Sequence, residues 1–160
     1  MAITCCYIKE QYFVDNAHYE KMLDSGNAVK QSQRTHLCIQ VTTNENTFYI
    51  PLRNNLGADV RRFGRIGHSV PSHDRPNAGL DYRYALIVND PSYIEIPKVR
   101  RIPRSQHQKI TTDITTIQTE FEQYLLGFIK AANKKRIERE PLYRESSLVN
   151  FLHELGISND

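Results

Sequence analysis

Apolar and polar residues alternate in His36-Leu-Cys-Ile-Gln-Val-Thr42, give way to the polar Thr43-Asn-Glu-Asn46, and alternate again in Thr47-Phe-Tyr-Ile-Pro-Leu52. A period of two, carried by β-branched and aromatic side chains around a short Asn-rich connection, predicts an antiparallel hairpin. Proline offers no amide donor, so Pro51 predicts that the second strand lies at a sheet edge or ends there. From Arg53 to Ala78 the pattern dissolves into Gly, Pro, Ser, Asn, Arg and His, which predicts a functional or mobile loop. Order returns over residues 80–88, followed by a turn at 89–92. Residues 93–96 and 98–102 read as short strand pieces on either side of Pro97.

The period then changes. Ile110, Ile114, Ile117, Phe121, Tyr124, Phe128 and Ala132 recur at helical spacing between Gln, Thr, Glu and Lys. One long amphipathic helix is predicted from near Ser105 to about Asn133, with Lys130, Lys134 and Lys135 matching its negative end. A last short helix is predicted after Ser146 or Ser147, with Leu148, Phe151, Leu152 and Leu155 as its stripe and Gly156 as its stop. A brief helix is expected over residues 16–23, before the polar stretch 24–33. The sum is one α+β domain over residues 1–160: a strongly twisted antiparallel sheet with helices gathered on it.

Composition narrows the functional classes. At 160 residues, 39% hydrophobic and 24% charged, the chain is sized for one packed domain. No apolar run is long enough to span a bilayer, so no membrane partner is expected. The first six residues lack a basic, then apolar, leader, so no signal peptide is expected. The 3 cysteines are an odd number, with Cys5 and Cys6 adjacent and Cys38 in an apolar run, which fits unpaired thiols and a cytoplasmic setting. The 6 histidines show no zinc-ligand spacing, and no metal or other cofactor is expected. There is no phosphate-binding glycine loop, no Gly-x-Ser-x-Gly elbow and no clustered carboxylate set.

A net charge of +3 says little as a total. Its distribution says more. Lys98, Arg100, Arg101, Arg104 and Lys109 fall in a stretch without acids. Lys130, Lys134, Lys135, Arg136, Arg139 and Arg144 form a second zone, against Glu138 and Glu140. Arg53, Arg61, Arg62, Arg65 and Arg75 form a third, against Asp59 and Asp74. Local basic zones rich in arginine point to a phosphate polymer, and Tyr82, Tyr84, Tyr93 and Tyr143 offer rings on which bases can stack.

Metal-independent RNA cleavage requires a base for the 2′-OH, a cation for the phosphorane and an acid for the leaving oxygen. Arg53, at a strand end, is a candidate for the cation, and Asn54 and Asn55 are candidates for holding ribose or phosphate. His68 is the expected acid or base, with His73 as a second option, and Asp81 would orient a partner or act as base. Solvated loop histidines, a turn-capping Asp81 and an ion-paired Arg53 are the alternative readings of the same residues.

Three segments together resemble the toxins of type III toxin–antitoxin systems. They are Phe48-Tyr-Ile-Pro-Leu-Arg-Asn-Asn55, then Gly79-Leu-Asp-Tyr82 leading into Ala85-Leu-Ile-Val88, and Tyr143-Arg-Glu-Ser-Ser-Leu-Val-Asn-Phe-Leu-His-Glu-Leu155. The order and spacing are similar to the TenpN and CptN branches, and more distantly to ToxN and AbiQ. The resemblance implies a twisted β-barrel-like core similar to the MazF toxins, with added helices. It implies a metal-independent endoribonuclease that leaves 2′,3′-cyclic phosphate and 5′-OH ends on cellular or phage RNA. The implied inhibitor is a small pseudoknotted RNA antitoxin, cut from tandem repeats by the toxin and held in a closed protein–RNA hetero-oligomer, in a setting of phage defence by abortive infection. By position, the basic residue before the first hairpin strand is Arg34, expected near phosphate, and the segment after the Pro-Leu pair supplies Arg53, Asn54 and Asn55. The stretches around 98–109 and 130–144 are then expected to hold the antitoxin. A non-catalytic RNA-binding module is the alternative, and a protein-interaction domain a third.

Overall fold

The computed structural model describes residues 3–58 and 64–158. Seven strands form one antiparallel sheet: β1 (Cys5–Ile8), β2 (His36–Val41), β3 (Asn44–Arg53), β4 (Gly67–Ser69), β5 (Gly79–Asp81), β6 (Leu86–Ile87) and β7 (Ile94–Glu95). Their order is β4-β5-β3-β2-β1-β7, with β6 also paired to β3. Among the described residues the end strands β4 and β7 do not pair with each other, so the sheet is open rather than a closed barrel. Helices α1 (Glu10–Asp15), α2 (Ala28–Gln33) and α3 (Arg104–Asn133) complete the α+β domain. None of them is long and apolar enough to cross a membrane.

The predicted hairpin is present and its connection is tighter than expected, with Val41 opposite Asn44. Glu122 of α3 accepts the Thr42 and Thr43 amides at 2.9 and 3.3 Å, which ties the hairpin tip to the helix. Of the two positions expected from Pro51, the edge is corrected, because β3 is central, flanked by β2 and by β5 and β6, while the strand does end shortly after it, at Arg53. Pro51 lies opposite His36, and the neighbouring Leu52 amide donates to the Thr35 carbonyl at 2.9 Å. In that ladder phase the Pro51 nitrogen points away from β2, into the break between β5 and β6, where no strand needs a donor.

The long helix lies where its spacing predicts, starting one residue earlier at Arg104. Its buried stripe, including Ile110, Ile117, Phe121, Leu125 and Phe128, covers the sheet face carrying Phe48, whose ring meets Phe121 edge-on at 5.1 Å. Against the other face, the Tyr12 hydroxyl of α1 donates to the Ile87 carbonyl. The C-terminal turn Ser147–Phe151 is capped by Ser146, as expected, and Gly156 follows with φ +70°.

Two local expectations fail. Residues 16–23 form no helix, because Asn16 ends α1 by donating back to the Tyr12 carbonyl at 2.8 Å, and Asn27 caps α2 by accepting the Lys30 amide. Residues 98–102 form no strand: Pro97 and Pro103 bracket them, and the Arg100 side chain binds the Ile102 carbonyl at 3.1 Å. All three cysteines are free, and burial pushes the Cys6 thiol up to about 12 and Cys5 to about 11, which keeps them protonated near neutrality.

Gly79 shows how tightly β4, β5 and the turn after β3 are packed. A Cβ there would meet the His68 carbonyl and, at 2.6 Å, the Leu56 side chain. Gly79→Ala is expected to lower stability by about 3 kcal/mol in urea unfolding, since backbone must move to relieve the overlap. A loss below about 0.5 kcal/mol would show that the strands part easily.

Candidate functional site

The candidates split across the sheet. Leu52 lies opposite Leu80, which lies opposite His68, and Arg53 lies opposite Gly79, which lies opposite Ser69. Successive residues of a strand point to opposite faces, so His68 shares the α3 face with Leu52 and Leu80 while Arg53 projects from the other. This corrects the expectation that Arg53 and His68 meet at one phosphate.

Each is also held in place. His68 Nδ1 lies 2.8 Å from Glu120 Oε1, and Nε2 lies 2.8 Å from Asp113 Oδ2, both on α3. The Tyr82 hydroxyl adds a 2.7 Å bond to the same Glu120 oxygen, and Lys109 reaches Asp113 at 2.9 Å. Both ring nitrogens are engaged by carboxylate oxygens, so no ring nitrogen is left for a ribose hydroxyl. The hydrogen bond from His68, then that from Lys109, hold the Asp113 carboxyl below its ordinary range. On the opposite face, Asp81 is fully buried and receives Arg53 Nη1 at 3.0 Å and Arg83 Nε and Nη2 at 3.0 and 2.9 Å. Both guanidinium groups lie over the Tyr84 ring. Asp81 therefore orients arginines, one of its expected roles, and is too enclosed to serve as a base for substrate.

A different set of residues converges at the end of the sheet where β1 ends, β2 begins and β3 ends. Tyr7, Lys30, Arg34, Thr35, Leu52 and Asn54 line one side of a polar groove of about 500 Å³, and Arg101, Ile102, Pro103 and Gln106 line the other. Arg34 is braced by Asp24 at 2.9 Å and by the Leu52 carbonyl at 3.2 Å. Burial opposes charge on Asp24 more than any other single effect, yet the bonds and charges of Arg34 and Lys30 together hold its carboxyl below the ordinary range. Arg101 stacks over the Tyr7 ring at 4.6 Å, and the Tyr7 and Thr35 hydroxyls share a 2.7 Å bond. Asn54 follows Leu52 at a spacing of two, which carries it to the groove while Arg53 turns away. Of the predicted site residues, Arg34, Asn54 and Arg101 are brought together here. Tyr7, Thr35 and Lys30 were not singled out from the sequence; the signal was the register that places Tyr7 and Thr35 beside Leu52, which needs the sheet to be read.

On the sheet face opposite the groove, buried His36 holds the Arg34 backbone: a carbonyl only accepts, so Nδ1–H donates to it at 3.0 Å. Burial lowers His36 from its ordinary value to about 4, against the raising effect of that bond. The unfolded chain therefore binds the proton more readily, and stability falls as pH drops from 6.5 toward 4, by about 3 kcal/mol in all. His36→Asn keeps a donor without the titration, and its urea stability is expected to show a correspondingly flatter slope over that window. An unchanged slope would place the pH dependence elsewhere.

The remaining expectations divide by exposure. Tyr82 is fully buried in the core, so its expected role as a stacking platform is corrected. Asn55 is exposed and caps a turn through the Gly57 amide, and His73 is exposed beside Asp74. Lys98, Arg100, Arg101, Arg104 and Lys109 are exposed, as are Lys130, Lys134, Lys135, Arg136 and Arg144. These two basic zones lie towards opposite ends of the 30-residue α3, with about 30 Å of helix between Lys109 and Lys130, so they form two patches rather than one. Arg61 and Arg62 lie outside the described residues. Comparisons of this chain with protein-family models, curated proteins and solved structures found no match.

Proposed function

We propose that this chain is an endoribonuclease toxin of the type III toxin–antitoxin kind, cleaving single-stranded RNA in the groove at the end of its sheet. The observation that carries the reading is the convergence there of Arg34, Arg101, Lys30, Asn54 and the hydroxyls of Tyr7 and Thr35, a set of phosphate-binding and proton-carrying groups. The positive end of the long helix α3 starts in the groove wall at Pro103 and favours an anion in the same place. In this reading Arg34 and Arg101 stabilise the phosphorane, Asn54 positions the strand, and Tyr7 moves a proton. The nucleophile is the substrate's own 2′-OH, which yields 2′,3′-cyclic phosphate and 5′-OH ends without a metal. The exposed basic zones at the two ends of α3 offer phosphate-binding surfaces for a folded RNA inhibitor. A twisted core akin to the MazF group, action in the cytoplasm, and phage defence are further parts of the proposal.

A non-catalytic RNA-binding module is the second reading, favoured by the locking of both His68 nitrogens on carboxylates. The two separate on incubation of the protein with end-labelled single-stranded RNA in excess chelator. Cyclic-phosphate products that vanish in Arg34→Ala support the enzyme. Salt-sensitive binding with intact RNA supports the module, and failure to bind RNA removes both.

A further inference from the structure

The groove continues past Arg101 into a second cavity of about 270 Å³, which shares Tyr7, Thr35, Arg101 and Ile102 with the first. Its character differs. Ile3, Ile96, Pro97 and Ile102 supply apolar walls, while Thr4, Arg100 and His107 supply polar groups. Among the described residues no acid lines it: the nearby Glu95 is engaged by Arg101 at 3.0 Å. Arg100 is exposed and anchored through Nε to the Ile102 carbonyl, which leaves its terminal nitrogens as donors, and among the described residues no acid pairs with it. His107, in the first turn of α3, adds an aromatic ring and an N–H.

Apolar walls beside a phosphate-binding groove suit a flat heterocycle attached to the same strand. We infer that this second cavity is a nucleobase subsite, which takes one unpaired base of an RNA strand whose phosphate lies between Arg34 and Arg101. The inference rests on the RNA reading above and adds to it a preference. Arginine and hydroxyl groups donate, and histidine adds a donor through one ring nitrogen, so the favoured base presents two acceptors on one edge, as guanine does with O6 and N7. Adenine places an amino donor where Arg100 also donates. A base already paired in a duplex is not free to enter, which selects single-stranded or looped RNA.

The test uses the full chain and fluorescein-labelled 2′-fluoro RNA strands, which lack the attacking hydroxyl and survive the measurement. One central position carries guanosine, adenosine or an abasic ribose, and binding is read by anisotropy. The guanosine strand is expected to bind about tenfold tighter than the abasic one, equivalent to about 1.4 kcal/mol, with adenosine between them. Arg100→Met and His107→Ala are expected to erase most of that difference, whereas Arg34→Ala should weaken all three strands alike. Equal affinity for guanosine and abasic strands overturns the subsite and leaves the phosphate groove standing. Adenosine binding as tightly as guanosine overturns the acceptor-edge preference. If none of the strands binds, the RNA reading fails and the subsite with it.

Discussion

Asp81→Asn is expected to cost about 3–5 kcal/mol, the range found when one partner of a buried ion pair is removed. The Asp81 side chain is only 1% exposed and Arg83 only 8%, so their charges are screened by protein rather than water. Three of the short contacts in this cluster end on the two Asp81 carboxylate oxygens: one from Arg53 and two from Arg83. An amide keeps the shape but removes the charge, and it offers one acceptor oxygen where the carboxylate offered two. Arg53 is more exposed, at 27%, so Arg53→Met leaves the Asp81–Arg83 pair intact and is expected to cost about 1 kcal/mol or less. Urea unfolding of both variants checks the ranking. For a chain of this size the Asp81 loss corresponds to a fall in Tm of about 10 °C. Equal costs for the two variants would mean that Asp81 is no more than a surface partner of Arg53.

On the proposed endoribonuclease reading, Arg34→Ala is expected to reduce RNA cleavage per folded molecule by about 10²–10³-fold, the usual cost of removing one donor from an oxyanion-stabilising set. Its side chain is 19% exposed and braced on Asp24, so it reaches the groove in a fixed orientation and binds phosphate with little reorganisation. Tyr7→Phe, which removes only the hydroxyl bonded to Thr35, is expected to lower kcat by about 10² if that oxygen moves a proton. His68→Ala provides the contrast. It deprives Asp113 and Glu120 of their shared partner and destabilises the β4–α3 contact, but cleavage per folded molecule is expected to stay within a few-fold. Single-turnover assays at matched folded fraction separate these outcomes. Loss of cleavage in His68→Ala with full activity in Arg34→Ala would move the site from the groove to the clamp.

The hairpin and α3 were legible because their signal is local. Alternation over residues 36–52 and the isoleucine-aromatic stripe from Ile110 to Ala132 each report a single element's buried face. Asn16 and Asn27 show the limit of that signal. Their amides decide where α1 and α2 stop and start, through bonds that hydrophobic spacing does not encode. Pro51 shows a related limit: one residue's missing donor reports which side of β3 the nitrogen faces and not whether the strand lies at an edge.

The chain alone determined the α+β content, the long helix, the arginine-rich zones and the candidacy of Asn54 and Arg101, while Arg34 entered only through the resemblance to type III toxins. The tertiary structure decided which of these work together. Pairing of β3 with β5, and of β5 with β4, fixed the pleat that separates Arg53 from His68. The ends of β1, β2 and β3 brought Tyr7, Arg34, Thr35 and Asn54 to one groove that Arg101 closes. Spacing along the chain records periodicity within an element. The register between elements depends on contacts tens of residues apart, and that register decides which side chains can reach one phosphate.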